Sequence, residues 1–118
     1  MTHATDALAD RLTRLLNECD LPVDPVTRLI SADAVFGRLD ILLRSGDTLP
    51  APWGIRLGGG GVECMEVTEH YDALSEALRE IGGDDACWRA LRRARDRWGL
   101  LRNAITGGAP LPEPWERG

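Results

Sequence analysis

Arg89, Arg92, Arg93 and Arg97 fall at i, i+3, i+4 and i+8, a spacing that gathers four guanidinium groups on one side of a helix. Such groups bind carboxylates or phosphates through paired N–H donors. They belong to a basic stretch, residues 84–105, with six Arg against three Asp, a local balance of +3. The whole chain carries −5, so the remainder carries −8. Charge divided in this way steers an acidic partner or a nucleic acid toward one region. The basic side of the helix reads first as a docking surface or a face satisfied by acidic neighbours. Nucleic-acid binding comes second, because the chain is acidic and has no helix-turn-helix or zinc-finger signature.

Trp115 is a second candidate anchor. It closes a Leu-Pro-x-Pro-Trp segment three residues from the C-terminus, and Trp is enriched at binding hot spots. The competing role is structural, with Leu111 and Trp115 folding back over the helices to close the core. That role is favoured for both this segment and its earlier counterpart, Leu49 to Trp53, while Trp115 is the Trp best placed for exposure.

Other chemistry finds little support. Glu63, Cys64, Glu66, Glu69 and His70 include metal-ligand types, yet without His-Glu-x-x-His, Cys-x-x-Cys or EF-hand spacing. His3, near the N-terminus, is a poor further ligand. No Ser lies in a nucleophile elbow, and the absence of Lys removes the phosphate-binding Gly-x-x-x-x-Gly-Lys loop despite the glycines at 58–61. The chain is therefore expected to be non-enzymatic, with no catalytic residues, metal or cofactor. Three Cys, none in a Cys-x-x-Cys pair, read as reduced thiols: Cys19 and Cys87 on apolar helix faces, Cys64 in the central linker.

The elements that must carry these residues are organised as a repeat. Residues 36–53 align without a gap on residues 98–115, at an offset of 62, with seven of eighteen positions identical. These are Gly37/Gly99, Leu39/Leu101, Gly46/Gly108, Leu49/Leu111, Pro50/Pro112, Pro52/Pro114 and Trp53/Trp115. Weaker matches extend the repeats to 6–53 and 68–115, joined by a Gly-rich linker at 54–67. Each repeat reads as a helix hairpin. The first helix is expected to start at an Asp6 cap, with Leu8, Leu12, Leu15, Leu16 and Cys19 on one face. Asp24-Pro25 opens the second, which Gly46 ends. Thr68 is the candidate cap of the third, whose buried face is Tyr71, Leu74, Leu78 and Ile81. Asp84 or Asp85 opens the fourth, with a stripe of Trp88, Leu91, Trp98, Leu101 and Ile105. The linker glycines form either a flexible linker or, the favoured reading, the turn of a small hairpin between residues 55–57 and 62–67.

Gly37 and Gly99 lie inside helices, where Gly is unfavourable by about 1 kcal/mol relative to Ala. Their shared position predicts a close crossing of the second and fourth helices on a pseudo-twofold axis. Divergent pairs such as Arg38/Leu100 and Asp40/Arg102 predict that the two halves present different surfaces.

With 118 residues and 43% apolar side chains, the chain suits one all-α domain in which two hairpins share a core. Leu12, Leu16, Leu29, Phe36, Leu39, Leu43, Leu74, Leu78, Leu91, Trp98, Leu101 and Ile105 are its expected members. No apolar run approaches a membrane span, and the N-terminus lacks the pattern of a signal peptide, so a cytoplasmic location is expected. The absence of Lys and Gln fits the codon usage of a GC-rich genome, such as an actinobacterium's or one of its phages'. The functional expectation is a protein–protein interaction module: an adaptor, assembly component or inhibitor, of the kind phages encode. Nucleic-acid binding through the Arg-rich helix is the alternative.

Overall fold

A computed structural model of the chain describes residues 4–17, 24–46, 64–106 and 111–115. Among the described residues four α-helices make up the fold: α1 (Ala4–Asn17), α2 (Pro25–Arg44), α3 (Cys64–Leu78) and α4 (Asp84–Thr106). A 3-10 turn, Glu113–Trp115, follows, and no strand occurs among the described residues. The protein is all-α. The α1 and α2 helices pack together, as do α3 and α4, and α2 meets α4 between the pairs.

Local chemistry accounts for the best-defined helix ends. Asp24 caps α2, its carboxylate accepting from Thr27 N–H at 3.2 Å, and Pro25 supplies a pre-set first turn. These hydrogen bonds hold the Asp24 carboxyl below its ordinary value. At the other end Gly46 turns the chain with φ of +85°, a backbone conformation that favours glycine.

All twelve residues expected in the core are buried, joined by Ala9, Ala32, Val35, Val67, Tyr71, Ala77, Ala90, Ala94, Leu111 and Trp115 among others. Burying each Leu removes enough apolar surface to stabilise the fold by about 1.5–3 kcal/mol before the entropy of ordering. One polar link crosses this core: Trp98 Nε1 donates to Thr13 Oγ1 at 2.8 Å, and that hydroxyl donates to Ala9 O at 2.9 Å. It couples α4 to α1 while satisfying a buried indole N–H.

Several expectations change. The α1 helix is already formed at Ala4, which places Asp6 in its first turn rather than at its cap. The α3 helix begins at Cys64, a turn before Thr68, so residues 64–67 are helical and not the second strand of a hairpin. The reason is periodicity: Val67 shares the buried stripe of Tyr71, Leu74 and Leu78. Ile81, expected inside, is 96% exposed because α3 stops at Leu78 and the stripe cannot continue. The close crossing at the two glycines is also absent. A Cβ built on Gly37 or Gly99 would meet nothing within 4 Å. Residues 54–63, Cys19, His3 and the segment from Leu49 to Trp53 lie outside the described residues.

Candidate binding groove

The α4 helix opens with Asp84 and Asp85, whose carboxylates suit the positive end of its dipole, and its arginines begin one turn later. Cys87, Ala90, Leu91, Ala94 and Trp98 bury one face, and this turns Arg89, Arg92, Arg93 and Arg95 toward solvent. Beside them, α2 contributes Arg28. It lies one turn after Pro25 and at helical spacing from Ala32, Val35 and Leu39, so it belongs to the buried face of its helix.

Arg28 is only 2% exposed. Its Nε donates to Leu15 O, one of the carbonyls that the last turn of α1 leaves without a helical partner. Its guanidinium carbon lies 6.0 Å from the centre of the Trp88 ring, at the edge of cation–π range. No carboxylate comes within 4.0 Å of it among the described residues. The negative end of the α1 dipole offsets part of the charge, which would otherwise be expensive to bury.

Arg28, Arg89, Arg92 and Arg95 line one open groove of about 530 Å³ with Asp85, Trp88, Leu16 and Leu91. Arg89 and Arg92 also have no carboxylate within 4.0 Å among the described residues, and Arg95 reaches only its neighbour Asp96, at 3.7 Å. Asp85 is the one acidic lining residue among those described. Trp88 forms a half-open aromatic wall, 39% exposed rather than buried in the α4 stripe as its spacing suggested. The groove combines surplus positive charge with an apolar floor, a combination whose chemistry suits an anion attached to an apolar group.

Of the five residues singled out in the sequence, Arg89 and Arg92 line this groove. Arg93 is directed toward Glu80, at 3.9 Å. Arg97 is half-buried, donating from NH1 to His70 Nδ1 at 3.0 Å, so it ties α4 to α3 instead of facing solvent. Trp115 is fully buried and offers no exposed anchor. Leu16, Arg28, Asp85, Trp88, Leu91 and Arg95 were the missed lining residues. The sequence did carry a signal for Arg28: a charged residue among apolar ones on the inner face of α2.

The burial of Trp115 has a polar cause. Its Nε1 donates to Asp40 Oδ1 at 2.7 Å, the Tyr71 hydroxyl donates to the same oxygen at 2.7 Å, and Arg44 Nε donates to Oδ2 at 3.0 Å. Arg44 NH2 donates to the Tyr71 hydroxyl at 2.7 Å, closing the network. Phe36, Tyr71 and Trp115 stack around it, Tyr71 and Trp115 edge to face at 5.3 Å. Burial, then the hydrogen bond to Asp40, pushes the Tyr71 phenol up, so that it stays a donor further into the alkaline range. This cluster clamps the 3-10 turn onto α2 and α3. Asp40, expected at the surface, is its centre.

Among the described residues, no three His, Cys, Asp or Glu come together as a metal site. Cys87 is buried, its S–H donating to Gly82 O at 3.4 Å, and burial followed by nearby carboxylates pushes its thiol up. A thiol held protonated in this way is a poor nucleophile. No described helix is long and apolar enough to cross a membrane. No protein-family model, curated protein or solved structure matches the chain.

Proposed function

We propose that the protein is a non-enzymatic protein–protein interaction module, acting as an adaptor, assembly component or inhibitor, whose groove docks an acidic segment of its partner. The observation that carries this reading is the set of arginines Arg28, Arg89 and Arg92, with no carboxylate partner among the described residues, around the half-open Trp88. Carboxylates of the partner pair with the guanidinium groups, and an apolar side chain between them packs on Trp88, Leu16 and Leu91. Such ion pairs give specificity and speed encounter more than they add raw affinity, because desolvation offsets much of their attraction.

Nucleic acid is the second reading, since phosphates suit the same arginines. A short groove in a chain of net charge −5 favours a peptide over a polyanion, which must track charge over a longer surface. The two readings separate in a titration against a short Glu- and Leu-rich peptide and against a single-stranded oligonucleotide, followed by the Trp88 indole resonance. The peptide is expected to shift that resonance, and Arg89→Glu with Arg92→Glu to abolish the effect. A response to the oligonucleotide alone, falling steeply with salt, would move the function to nucleic-acid binding. Silence from both probes would remove the groove from consideration.

We also propose that the chain arose by internal duplication, with its halves related by an approximate twofold axis. Support comes from the matched burial of Leu12/Leu74, Leu16/Leu78, Leu29/Leu91, Ala32/Ala94, Phe36/Trp98, Leu39/Leu101 and Leu43/Ile105. The α2 and α4 helices also end at matching positions, Arg44 and Thr106. The groove breaks that symmetry, because Arg28 corresponds to Ala90.

A further inference from the structure

We infer that the outer face of α2 is a self-association surface, meeting α2 of a second copy side by side in parallel. The inner face of α2 holds Leu29, Ala32, Val35, Phe36, Leu39 and Leu43 in the core. Its opposite face is apolar as well: Ile30, Ala34, Gly37 and Ile41. Ile30 and Ile41 are 65% and 64% exposed. A contiguous apolar row on the outer side of a helix whose inner side is already buried marks a contact surface.

The spacing identifies the occupant. Steps of four, three and four residues from Ile30 to Ile41 reproduce the a/d seam of a two-stranded coiled coil across two heptads. Ala34 and Gly37, at the middle of the seam, let two helix axes approach closely, and the space beyond Gly37 is open. Asp33 and Arg38 flank the seam on opposite sides, five residues apart. In a parallel pair this is the g-to-e′ relationship, so Asp33 of each copy faces Arg38 of the other. Neither side chain has an ion pair within its own protomer among the described residues. An antiparallel pairing would instead put g positions beside g and e beside e, so Asp33 of one copy could not reach Arg38 of the other. The same face of α4 is polar instead. Its residues at the positions matching Ile30, Ala34, Gly37 and Ile41 are Arg92, Asp96, Gly99 and Asn103. The other exposed apolar residues, Met65, Ile81 and Leu100, are scattered over different elements, as on any protein surface.

A seam of two heptads lies at the small end of specific interfaces, so the dimer is expected to be reversible. Sedimentation velocity on the full chain, from about 1 to 500 µM, is expected to show a monomer–dimer equilibrium. Ile30→Glu with Ile41→Glu should leave a monomer of unchanged helix content. Arg38→Asp should weaken the dimer about tenfold, as two symmetric pairs turn repulsive, and adding Asp33→Arg should restore it. Ala34→Cys should form an intermolecular disulfide in the parallel seam. A monomer at every concentration overturns the inference, and leaves residues 47–63 of the same chain as the other candidate cover. A dimer indifferent to the Glu substitutions, or strengthened by Arg38→Asp alone, overturns it equally. The groove arginines are untouched in these variants, so either result leaves the acidic-segment reading standing.

Discussion

Trp115 and Asp40 are 75 residues apart in the chain and joined by a 2.7 Å hydrogen bond from indole N–H to carboxylate. The bond fixes the 3-10 turn against α2 and makes the last described residue part of the core. Trp115→Phe keeps most of the apolar contact and loses only this bond, so a loss of about 1.5–3 kcal/mol is expected. Trp115→Ala also leaves a cavity, for about 3–5 kcal/mol in total. Asp40→Ala should match or exceed the Phe variant, because it strips an acceptor from Tyr71 and Arg44 too. Urea denaturation of the three variants checks the order, and an Asp40→Ala variant as stable as the parent would remove the clamp.

Tyr71 is the single Tyr of the chain, so its ionisation can be read directly by ultraviolet absorbance. Its folded value lies above the ordinary phenol value of about 10. The stabilisation linked to that shift is fully present below the unfolded value and is lost as pH rises through the folded one. The native titration should therefore lag that of the denatured chain, with stability falling on the alkaline side. Tyr71→Phe should flatten that alkaline limb. Identical titrations in native and denatured protein would show that the phenol is not held as described.

Asp24 carries the opposite sign. Its carboxyl is lowered by the hydrogen bonds from Thr27, so the cap contributes above the ordinary carboxylate value of about 3.9 and is lost as pH falls through the folded one. Asp24→Asn should retain capping with a weaker acid dependence, and Asp24→Ala should lower the melting temperature at neutral pH. Melting curves across the acid range distinguish the two.

The glycines divide by the space around them. Gly99→Ala fills open space on a helix and should stabilise the fold by about 1 kcal/mol, as should Gly37→Ala measured in dilute protein. Gly82→Ala should destabilise, because its Cβ would lie 2.5 Å from that of Ala86. Equilibrium unfolding of the three gives the signs, and a gain for Gly82→Ala would contradict the close approach at the start of α4.

Sequence periodicity by itself determined the helices, the twelve core positions and the Asp24 and Gly46 ends of α2, because burial and capping act within a few residues of chain. It also located the arginines of α4. Which of them share a site was decided in three dimensions. Arg28 reaches them only because α1, α2 and α4 meet there, and Arg97 leaves them for His70 because α3 packs alongside. Trp88 departed from its stripe because periodicity gives the face of a helix, while neighbouring elements decide how far along the helix that face is covered; Ile81 departed because α3 ends before it. The fate of Trp115 rested on a carboxylate 75 residues away, and no local pattern encodes a partner at that separation. A polar side chain in such a fold takes its role from whichever charge the packing brings within hydrogen-bond reach.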